Sequence, residues 1–360
     1  MAQSLADTKL ERVSFRENVI QDEGCIAISR VLRDCSLEEI DFYCNCISKL
    51  GCLELSKGII GSRIKSLNLA RNTVGFEVYR VLIPAIRKLR LHALILFGDS
   101  SLTCQAAKDF AKSIYSTDLL TIIDVSDCLG ADAAVSEFAG FVSANTDGGT
   151  MLDLDLSNNF LGVRDWQELM QSFINNPKIV GLKLPGLDRQ SAGLAEIIKH
   201  ISLTRIIKLD FSKSQLVKFD YDFLDSLVNS NVTQLDLSGN FLGRSEFGWL
   251  SWYISESNLS YLVLINCKMD DAACVLIAKS LLCTQKLEML DVRHNLMTEV
   301  GAVYLVSRLQ LCKPMKKFWM SSSKLALKSE AEWRLLGAPH GTAATLEVTL
   351  EGVAWVKNGM

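Results

Sequence analysis

The stretch LDLSNNFLG at residues 154–162 returns as LDLSGNFLG at residues 235–243, with one residue changed. The two copies start 81 positions apart, and the same pattern, LxxLxLxxN with substitutions among apolar residues, recurs between and around them. Its twelve copies begin at Leu10, Leu37, Ile64, Leu91, Leu120, Met151, Ile179, Ile206, Val232, Leu259, Leu287 and Met315. Successive starts are 26 to 31 residues apart. A period of this length indicates a structural repeat, because a catalytic loop has no reason to return at fixed intervals.

Each repeat combines a strand pattern with a helix pattern. In the ninth repeat, residues 232–237 alternate apolar and polar side chains, as a half-buried strand does. Leu250 and Ile254 then lie four residues apart, as on one face of a helix. Stacked repeats place the closely spaced strands side by side on the inside of a curve and the helices outside. The sequence therefore predicts an α/β solenoid: a right-handed horseshoe with a parallel concave sheet and outer helices.

The ninth position of the pattern, called here the ladder position, is asparagine in half of the repeats. A side-chain amide there can satisfy backbone groups where the strand turns toward its helix, and this role needs no ligand. Leu187 cannot make such a bond. The ladder residues are Asn18, Asn45, Asn72, Asp99, Cys128, Asn159, Leu187, Ser214, Asn240, Cys267, Asn295 and Ser323.

The pattern resembles the ribonuclease-inhibitor-like class of leucine-rich-repeat proteins. LERVSFRENVIQDEGCIAISRVL from Leu10 and LEMLDVRHNLMTEVGAVYLVSRL from Leu287 carry it most fully, with Gly24 and Gly301 near the helix start. The resemblance spans residues 10–325, which we expect to form one repeat domain. A short segment, 1–9, precedes the domain, and a capping segment, 326–360, is expected to follow it as a helix and one or two strands. The resemblance specifies the fold and not one function, since the same scaffold serves inhibitors, GTPase regulators, immune sensors, actin regulators and ciliary scaffolds.

Composition limits the classes of partner. The chain has 38 basic and 41 acidic side chains, a net charge of −3, so no overall field attracts nucleic acid. No apolar run reaches the roughly 18 residues that a membrane span needs, and we expect no membrane insertion. The first residues, MAQSLADTKLERVSF, lack the features of a secretion signal, so we expect an intracellular, cytoplasmic protein. Its eleven cysteines are odd in number and dispersed, which favours free thiols.

No catalytic or metal-binding pattern is found in the sequence. The four histidines fall in different repeats, and neither a phosphate-binding loop nor a nucleophile motif occurs. The spacing of one group of cysteines differs from that of zinc fingers and ribbons: Cys25, Cys35, Cys44, Cys46 and Cys52. We therefore expect no enzymatic activity, no cofactor, no metal and no small-molecule substrate.

The candidate binding residues lie on the outward-facing positions of the predicted strands. Apolar side chains concentrate on three adjacent strands near the C-terminus, and such patches commonly mark interfaces. The alternative is that the C-terminal segment covers them. These residues are Tyr261, Val263, Ile265, Met289 and Trp319. A smaller patch comprises Ala93, Ile95, Phe97 and Ile122.

Two further surfaces are candidates. Six central outward positions are aspartates, among them Asp155, Asp210 and Asp236, which could attract a basic partner or could simply be solvated features of the repeat. On the outer helices, Trp252 is the candidate that helix packing explains least. One stripe beside it is compatible with either helix packing or binding: Phe223, Trp249, Leu276 and Tyr304.

These observations predict a non-enzymatic scaffold or adaptor that binds proteins, as a subunit of a larger assembly. A cytoskeletal or ciliary complex is one setting that the resemblance implies. The alternative is a regulator of a small GTPase resembling the Ran GTPase-activating protein, with Arg71 and Arg293 as candidates to assist hydrolysis. The acidic tail of that family is missing here, so the alternative rests on similarity of fold alone.

Overall fold

The computed structural model shows a succession of strands and helices in two compact units. The first unit comprises Met1–Lys183 and Ser191–His200, and the second comprises Leu184–Gln190 and Ile201–Met360. The residues that the structure describes are 2–74, 82, 85, 91–95, 121–126, 135, 139, 142, 151–159, 161–187, 192–216, 221–309, 311–322, 347–350 and 353–355. No helix within these ranges is both long enough and apolar enough to cross a membrane.

The first unit contains a parallel sheet whose strands pair in chain order. Its strands are β1 (Arg12–Ser14), β2 (Glu39–Asp41), β3 (Ser66–Asn68), β4 (Ala93–Ile95), β5 (Ile122–Asp124), β6 (Leu152–Asp155) and β7 (Ile179–Lys183). Its described helices are α1 (Ala2–Ala6), α2 (Gln21–Ser29), α3 (Lys49–Ile59), α4 (Val163–Asn175) and α5 (Ala192–His200).

The second unit repeats the same architecture. Its strands are β8 (Lys208–Asp210), β9 (Gln234–Asp236), β10 (Tyr261–Val263), β11 (Met289–Asn295), β12 (Lys317–Ser322), β13 (Glu347–Leu350) and β14 (Val353–Trp355). Strands β8 to β13 are parallel in chain order, and β14 returns antiparallel to β13. Its helices are the 3-10 turn Ile201–Leu203, α6 (Tyr221–Val228), α7 (Arg244–Glu256), α8 (Asp271–Ser280) and α9 (Glu299–Leu309). The predicted α/β solenoid of leucine-rich repeats is confirmed.

The leucine positions of the pattern form the core. Leu235 and Leu262, at the centres of β9 and β10, are at most 1% exposed, and Leu250 and Ile254 on α7 are fully buried against them. Burying such a side chain contributes about 1.5–3 kcal/mol. A single repeat has only a few of these side chains, so its stability depends on the neighbouring repeats that complete the core.

The ladder asparagines join each repeat to the one before it. Asn295 is buried, and its Nδ2 donates to the carbonyl oxygens of Leu264 and Val292, both at 2.8 Å. Its Oδ1 accepts from the backbone N–H of Cys267 and Met269, at 2.9 and 3.0 Å. With a further bond from Nδ2 to the Arg293 carbonyl oxygen at 3.2 Å, the amide satisfies five backbone groups, three of which belong to the preceding repeat. The sequence pattern predicted that this amide bonds to the backbone at the turn.

Smaller ladder residues make fewer of these bonds. The Ser214 hydroxyl donates to the Leu184 carbonyl oxygen at 3.0 Å, and the Cys267 thiol lies 3.3 Å from the Leu237 carbonyl oxygen. Asn18, in the first repeat, is exposed, and among the described residues its amide donates to the carbonyl oxygens of Phe15 and Arg16, both in its own repeat.

The residue before the ladder position adopts a left-handed conformation in nine of the described repeats. The φ angle is positive at Glu17, Cys44, Arg71, Asn158, Gly186, Lys213, Gly239, Asn266 and His294. Only two of the nine are glycine, although this region costs other residues roughly 1–2 kcal/mol. The hydrogen bonds of the adjacent ladder residue offset that cost.

Aspartates near the start of two helices fix the start of the next helix. Asp22 on α2 accepts from the backbone N–H of Ser48 and Gly51, at 2.7 and 3.0 Å, and from the Ser48 hydroxyl at 2.5 Å. Asp271 on α8 bonds in the same way to Thr298 and Gly301, where α9 begins. These carboxylates satisfy N–H groups that a helix N-terminus leaves without partners, and they favour its positive dipole end.

The terminal segments extend the repeats. Helix α1, within residues 1–9, contacts α2 and buries Leu5. In the C-terminal segment, β13 pairs in register with β12, so that Thr349 lies beside Trp319 and the sheet continues by two strands. The helix expected in KSEAEWRLLGAPH lies outside the described residues.

Candidate protein-binding face

Each sheet has one face against the helices and one face, called here the open face, that the helices do not cover. In β10, Leu262 is buried toward the helices, whereas Tyr261 and Val263 on either side of it are half-buried. This alternation follows from the two-residue period of a strand. The parallel register then aligns the open-face residues of successive strands in rows.

Four of the five apolar candidates lie on strands β10, β11 and β12 of the second unit. Ile265, predicted on the tenth strand, lies instead in the turn that follows the end of β10 at Val263. The five residues are defined here as the apolar patch: Tyr261, Val263, Ile265, Met289 and Trp319. All five are half-buried. Tyr261 is the register partner of Met289, so these two side chains lie side by side on β10 and β11. The Lys317 ammonium lies 6.0 Å from the centre of the Trp319 ring, which places a cation at the edge of the patch.

An aspartate interrupts the apolar patch. Asp291 on β11 is the register partner of both Val263 and Trp319 and therefore separates them. It is 4% exposed, and Arg293 binds it through Nε at 2.9 Å and through Nη2 at 2.6 Å. The charge of Asp291 is thus neutralised within its own strand, and the Arg293 guanidinium is already engaged.

Two neighbouring aspartates adjoin the apolar patch on its other side. Asp210 and Asp236 are register partners on β8 and β9, and Asp236 is the partner of Val263. One oxygen of each accepts the N–H two residues later, from Ser212 at 2.7 Å and from Ser238 at 2.8 Å. This bond closes the turn that follows the strand, which supports the structural explanation for aspartate at these positions.

The pKa of Asp236 is raised. Burial is the main cause, and the negative charges of Asp210 and Asp291 raise it further, against hydrogen bonds from Ser238 that lower it. The carboxylate of Asp236 is therefore stabilised less than an ordinary surface aspartate.

The open face of the first unit is more polar. Asp155 lies 3.9 Å from the Lys183 ammonium on the neighbouring strand, and Asp124 beside it has a pKa raised by burial and by Asp155. In the smaller patch, Ile122 is 41% exposed, whereas Phe97 lies outside the described residues. Arg71 is exposed, and its guanidinium lies 6.0 Å from the ring centre of Tyr43.

The outer helices do not present one continuous aromatic stripe. Trp252 is half-buried and Trp249 is 41% exposed, both on α7. Phe223 on α6 is 2% exposed and contacts Phe211 edge-on at 5.6 Å. Packing therefore accounts for Phe223. Leu276 and Tyr304 are half-buried like Trp252 and remain candidates on this surface together with the tryptophans of α7.

The cysteines are placed as core side chains more often than as surface groups. Among the described residues, no three or more Cys, His, Asp or Glu side chains are grouped in a way that could hold a metal ion. Burial raises the pKa of Cys25 to about 12 and that of Cys267 to about 12, which disfavours the thiolate that a metal would bind. Cys46 and Cys283 are the exposed cysteines among the described residues.

Sequence reasoning placed the open-face residues but missed two relations between them. The Asp291–Arg293 pair joins residues two apart in one strand, and the neighbouring position of Asp210 and Asp236 depends on strand register. The LDxS spacing after each strand was a usable signal for the turn bonds, because a carboxylate often accepts the N–H two residues later.

Comparisons with known proteins identify the repeat. The family model described as Leucine Rich repeat matches residues 6–29. No curated protein matches the chain. Among solved structures, 116 chains match, and one belongs to the crystal structure of the Rad7 and Elc1 complex in yeast. That match has a TM-score of 0.47 and 12% sequence identity, and it covers 96% of this chain and 86% of the other. The family model covers one repeat, and the strand pairing shows that its strand-and-helix arrangement recurs in both units.

Proposed function

We propose that this leucine-rich-repeat protein is a non-enzymatic scaffold or adaptor that binds a protein partner on the open face of its second unit. The observation that carries the proposal is the apolar patch. It places a tyrosine, a tryptophan, a methionine and a valine, each half-buried, on three adjacent strands, with the half-buried Ile265 in the turn that follows the first of them. Partly exposed aromatic and apolar groups in one cluster are typical of the centre of a protein interface, where most of the binding free energy is concentrated.

The proposal extends to the class and the setting of the protein. Repeats of 26 to 31 residues with a full helix support the ribonuclease-inhibitor-like class. We place the protein inside the cell as a subunit of a larger assembly, of which a cytoskeletal or ciliary complex is the example that the resemblance offers. Residues 10–325 act as the repeat domain in this proposal, and residues 326–360 cap it.

Regulation of a small GTPase is the weaker alternative. A catalytic arginine must reach the phosphates of the partner, yet Arg293 is held by Asp291 on the open face. Arg71 is exposed but lies against Tyr43. Assaying a panel of GTPases with and without the protein tests this alternative, because a scaffold leaves their hydrolysis rates unchanged.

The proposal is tested by identifying the partner and then removing the anchors. Affinity purification from the native cell followed by mass spectrometry supplies the partner. Trp319→Ala and Tyr261→Ala are each expected to weaken binding by about 2 kcal/mol or more. Asp155→Asn, in the first unit, is the matched control and is expected to change binding by less than about 1 kcal/mol.

The folded state of each variant is checked first by circular dichroism and thermal unfolding. Unchanged binding by well-folded Trp319 and Tyr261 variants would place the interface elsewhere. Loss of binding on Asp155→Asn would then assign it to the acidic positions, and loss on Trp252→Ala would assign it to the outer helices.

A further inference from the structure

Among the described residues, the acidic pair beside the apolar patch differs from three of the other four open-face aspartates in having no ion-pair partner. The fourth, Asp124, has none either, but it lies beside Asp155 and its partner Lys183. Asp41 lies 3.4 Å from Arg16, Asp155 lies 3.9 Å from Lys183, and Asp291 lies 2.6 Å from Arg293. By contrast, no ion pair between described residues involves Asp210 or Asp236. Two adjacent carboxylates without a cation repel each other, and the raised pKa of Asp236 reflects this in part.

The pair also keeps most of its hydrogen-bonding capacity. A carboxylate can accept about four hydrogen bonds. The backbone N–H of Ser212 uses one site on Asp210, and the backbone N–H and side chain of Ser238 use two on Asp236. A cation with several N–H donors placed between Asp210 and Asp236 would add hydrogen bonds and remove the repulsion, and a lysine or arginine side chain meets both requirements.

The acidic pair and the apolar patch are close enough to bind one segment. Neighbouring strands lie about 4.8 Å apart, so Val263 lies about 7 Å from the midpoint between Asp210 and Asp236. In an extended peptide, residues i and i+2 point to the same side and lie about 7 Å apart. Trp319 is two strands beyond Val263, a further distance of about 10 Å, which three extended residues span. Asp291 lies between them but already has Arg293 as its cation.

We infer that the partner presents an extended basic segment, with a lysine or arginine seated between Asp210 and Asp236 and a large apolar side chain two residues away on Val263 and Tyr261. The inference rests on the proposed function and specifies the chemistry of the partner at that face. Charge complementarity distinguishes this occupant from an acidic segment, which the two carboxylates repel, and from a purely apolar one, which leaves them uncompensated in a closed interface.

The probe for the test is a phage-displayed library of random peptides about a dozen residues long, selected on the full-length protein. The expected selection enriches peptides with Lys or Arg two residues from an aromatic or large aliphatic residue. A selected peptide is then synthesised with its basic residue as arginine and as citrulline, which keeps the shape and removes the charge. The citrulline peptide is expected to bind about tenfold more weakly.

Protein variants combined with the two peptides form a double-mutant cycle. Asp210→Asn and Asp236→Asn keep an oxygen for the turn N–H, and each is expected to reduce the preference for arginine over citrulline to about threefold or less. Asp155→Asn, whose partner Lys183 remains, is the matched control and leaves the preference unchanged.

Different outcomes separate this inference from the proposed function. Loss of peptide binding on Trp319→Ala with an unchanged arginine preference in both aspartate variants would retain the binding face and overturn the basic segment. Peptide binding that stays unchanged in Trp319→Ala, Tyr261→Ala, Asp210→Asn and Asp236→Asn would overturn both the binding face and the basic segment. Enrichment of acidic or uncharged peptides, or no enrichment at all, would also contradict the basic segment. So would a dimer of the protein that dissociates on Tyr261→Ala, because a second copy of the chain would then occupy the face.

Discussion

Replacing Asn295 by alanine is expected to be among the most damaging polar substitutions in the second unit. The side chain is 1% exposed and holds the N–H groups of Cys267 and Met269 and the carbonyl oxygens of Leu264 and Val292. Alanine leaves four buried backbone groups without these partners. At about 1 kcal/mol for each group, the free energy of unfolding should fall by about 3–5 kcal/mol.

Asn18→Ala provides the matched control, because the same residue type at the same position of the pattern is exposed there and, among the described residues, bonds within its own repeat. Water replaces its bonds, so the expected loss is below about 1 kcal/mol. Asn295→Ser should fall between the two, since serine can keep one bond, as Ser214 does. Urea unfolding followed by circular dichroism measures all three variants. If Asn295→Ala and Asn18→Ala lose similar stability, the amide does not hold neighbouring repeats together as argued.

Three further predictions concern the caps, a glycine and the thiols. Burial acts to raise the pKa of Asp22, but hydrogen bonds from Ser48 and Gly51 lower it overall, so its contribution to stability is present above about pH 4 and is lost as the pH falls through the lowered pKa. Asp22→Asn should therefore reduce the urea midpoint at pH 7 and weaken its acid dependence, and an unaltered acid dependence would contradict the assignment. Gly301→Ala should destabilise by about 1–3 kcal/mol, because the new Cβ overlaps Asp271 Oδ1 and lies 2.9 Å from Asp271 Cα. Gly248→Ala, with open space around its Cβ, should stabilise by about 0.5–1 kcal/mol in the same urea assay, and equal effects of the two would refute the overlap. A zinc chelator should leave the melting temperature unchanged, whereas a large decrease would show that one group of thiols binds metal: Cys25, Cys35, Cys44, Cys46 and Cys52.

The sequence was sufficient to predict the fold because the same apolar pattern of strand and helix occurs twelve times. Alternation around Leu235 predicted a strand, and the spacing of Leu250 and Ile254 predicted its helix. The hydrogen bonds between neighbouring repeats were harder to predict from the sequence. Asp22 reaches Ser48, 26 residues later, and only the docking of α2 against α3 makes that bond visible. Such contacts depend on how neighbouring repeats are set against each other, which a one-dimensional pattern does not encode.

The sequence predicted which residues form the candidate site, but it did not predict which of their charges are paired. Strand alternation placed Tyr261 and Trp319 on one face, because outward positions follow directly from the period. The pairing of Asp291 with Arg293, and the absence of an ion pair at Asp236 among the described residues, depend on side-chain rotamers and strand register.

The bonds between neighbouring repeats run in both directions along the chain. Asn45 of the second repeat donates to the Phe15 carbonyl oxygen of the first repeat. Asp22 of the first repeat fixes the start of α3, the helix of the second repeat. Asn295 and Asp271 form the same reciprocal pair between the tenth and eleventh repeats. Opening one member of such a pair removes hydrogen-bond partners from the other, so the two should exchange their amide hydrogens as a single cooperative step. In a nearest-neighbour description of the array, these pairs carry a larger coupling energy than pairs whose ladder residue is serine or cysteine.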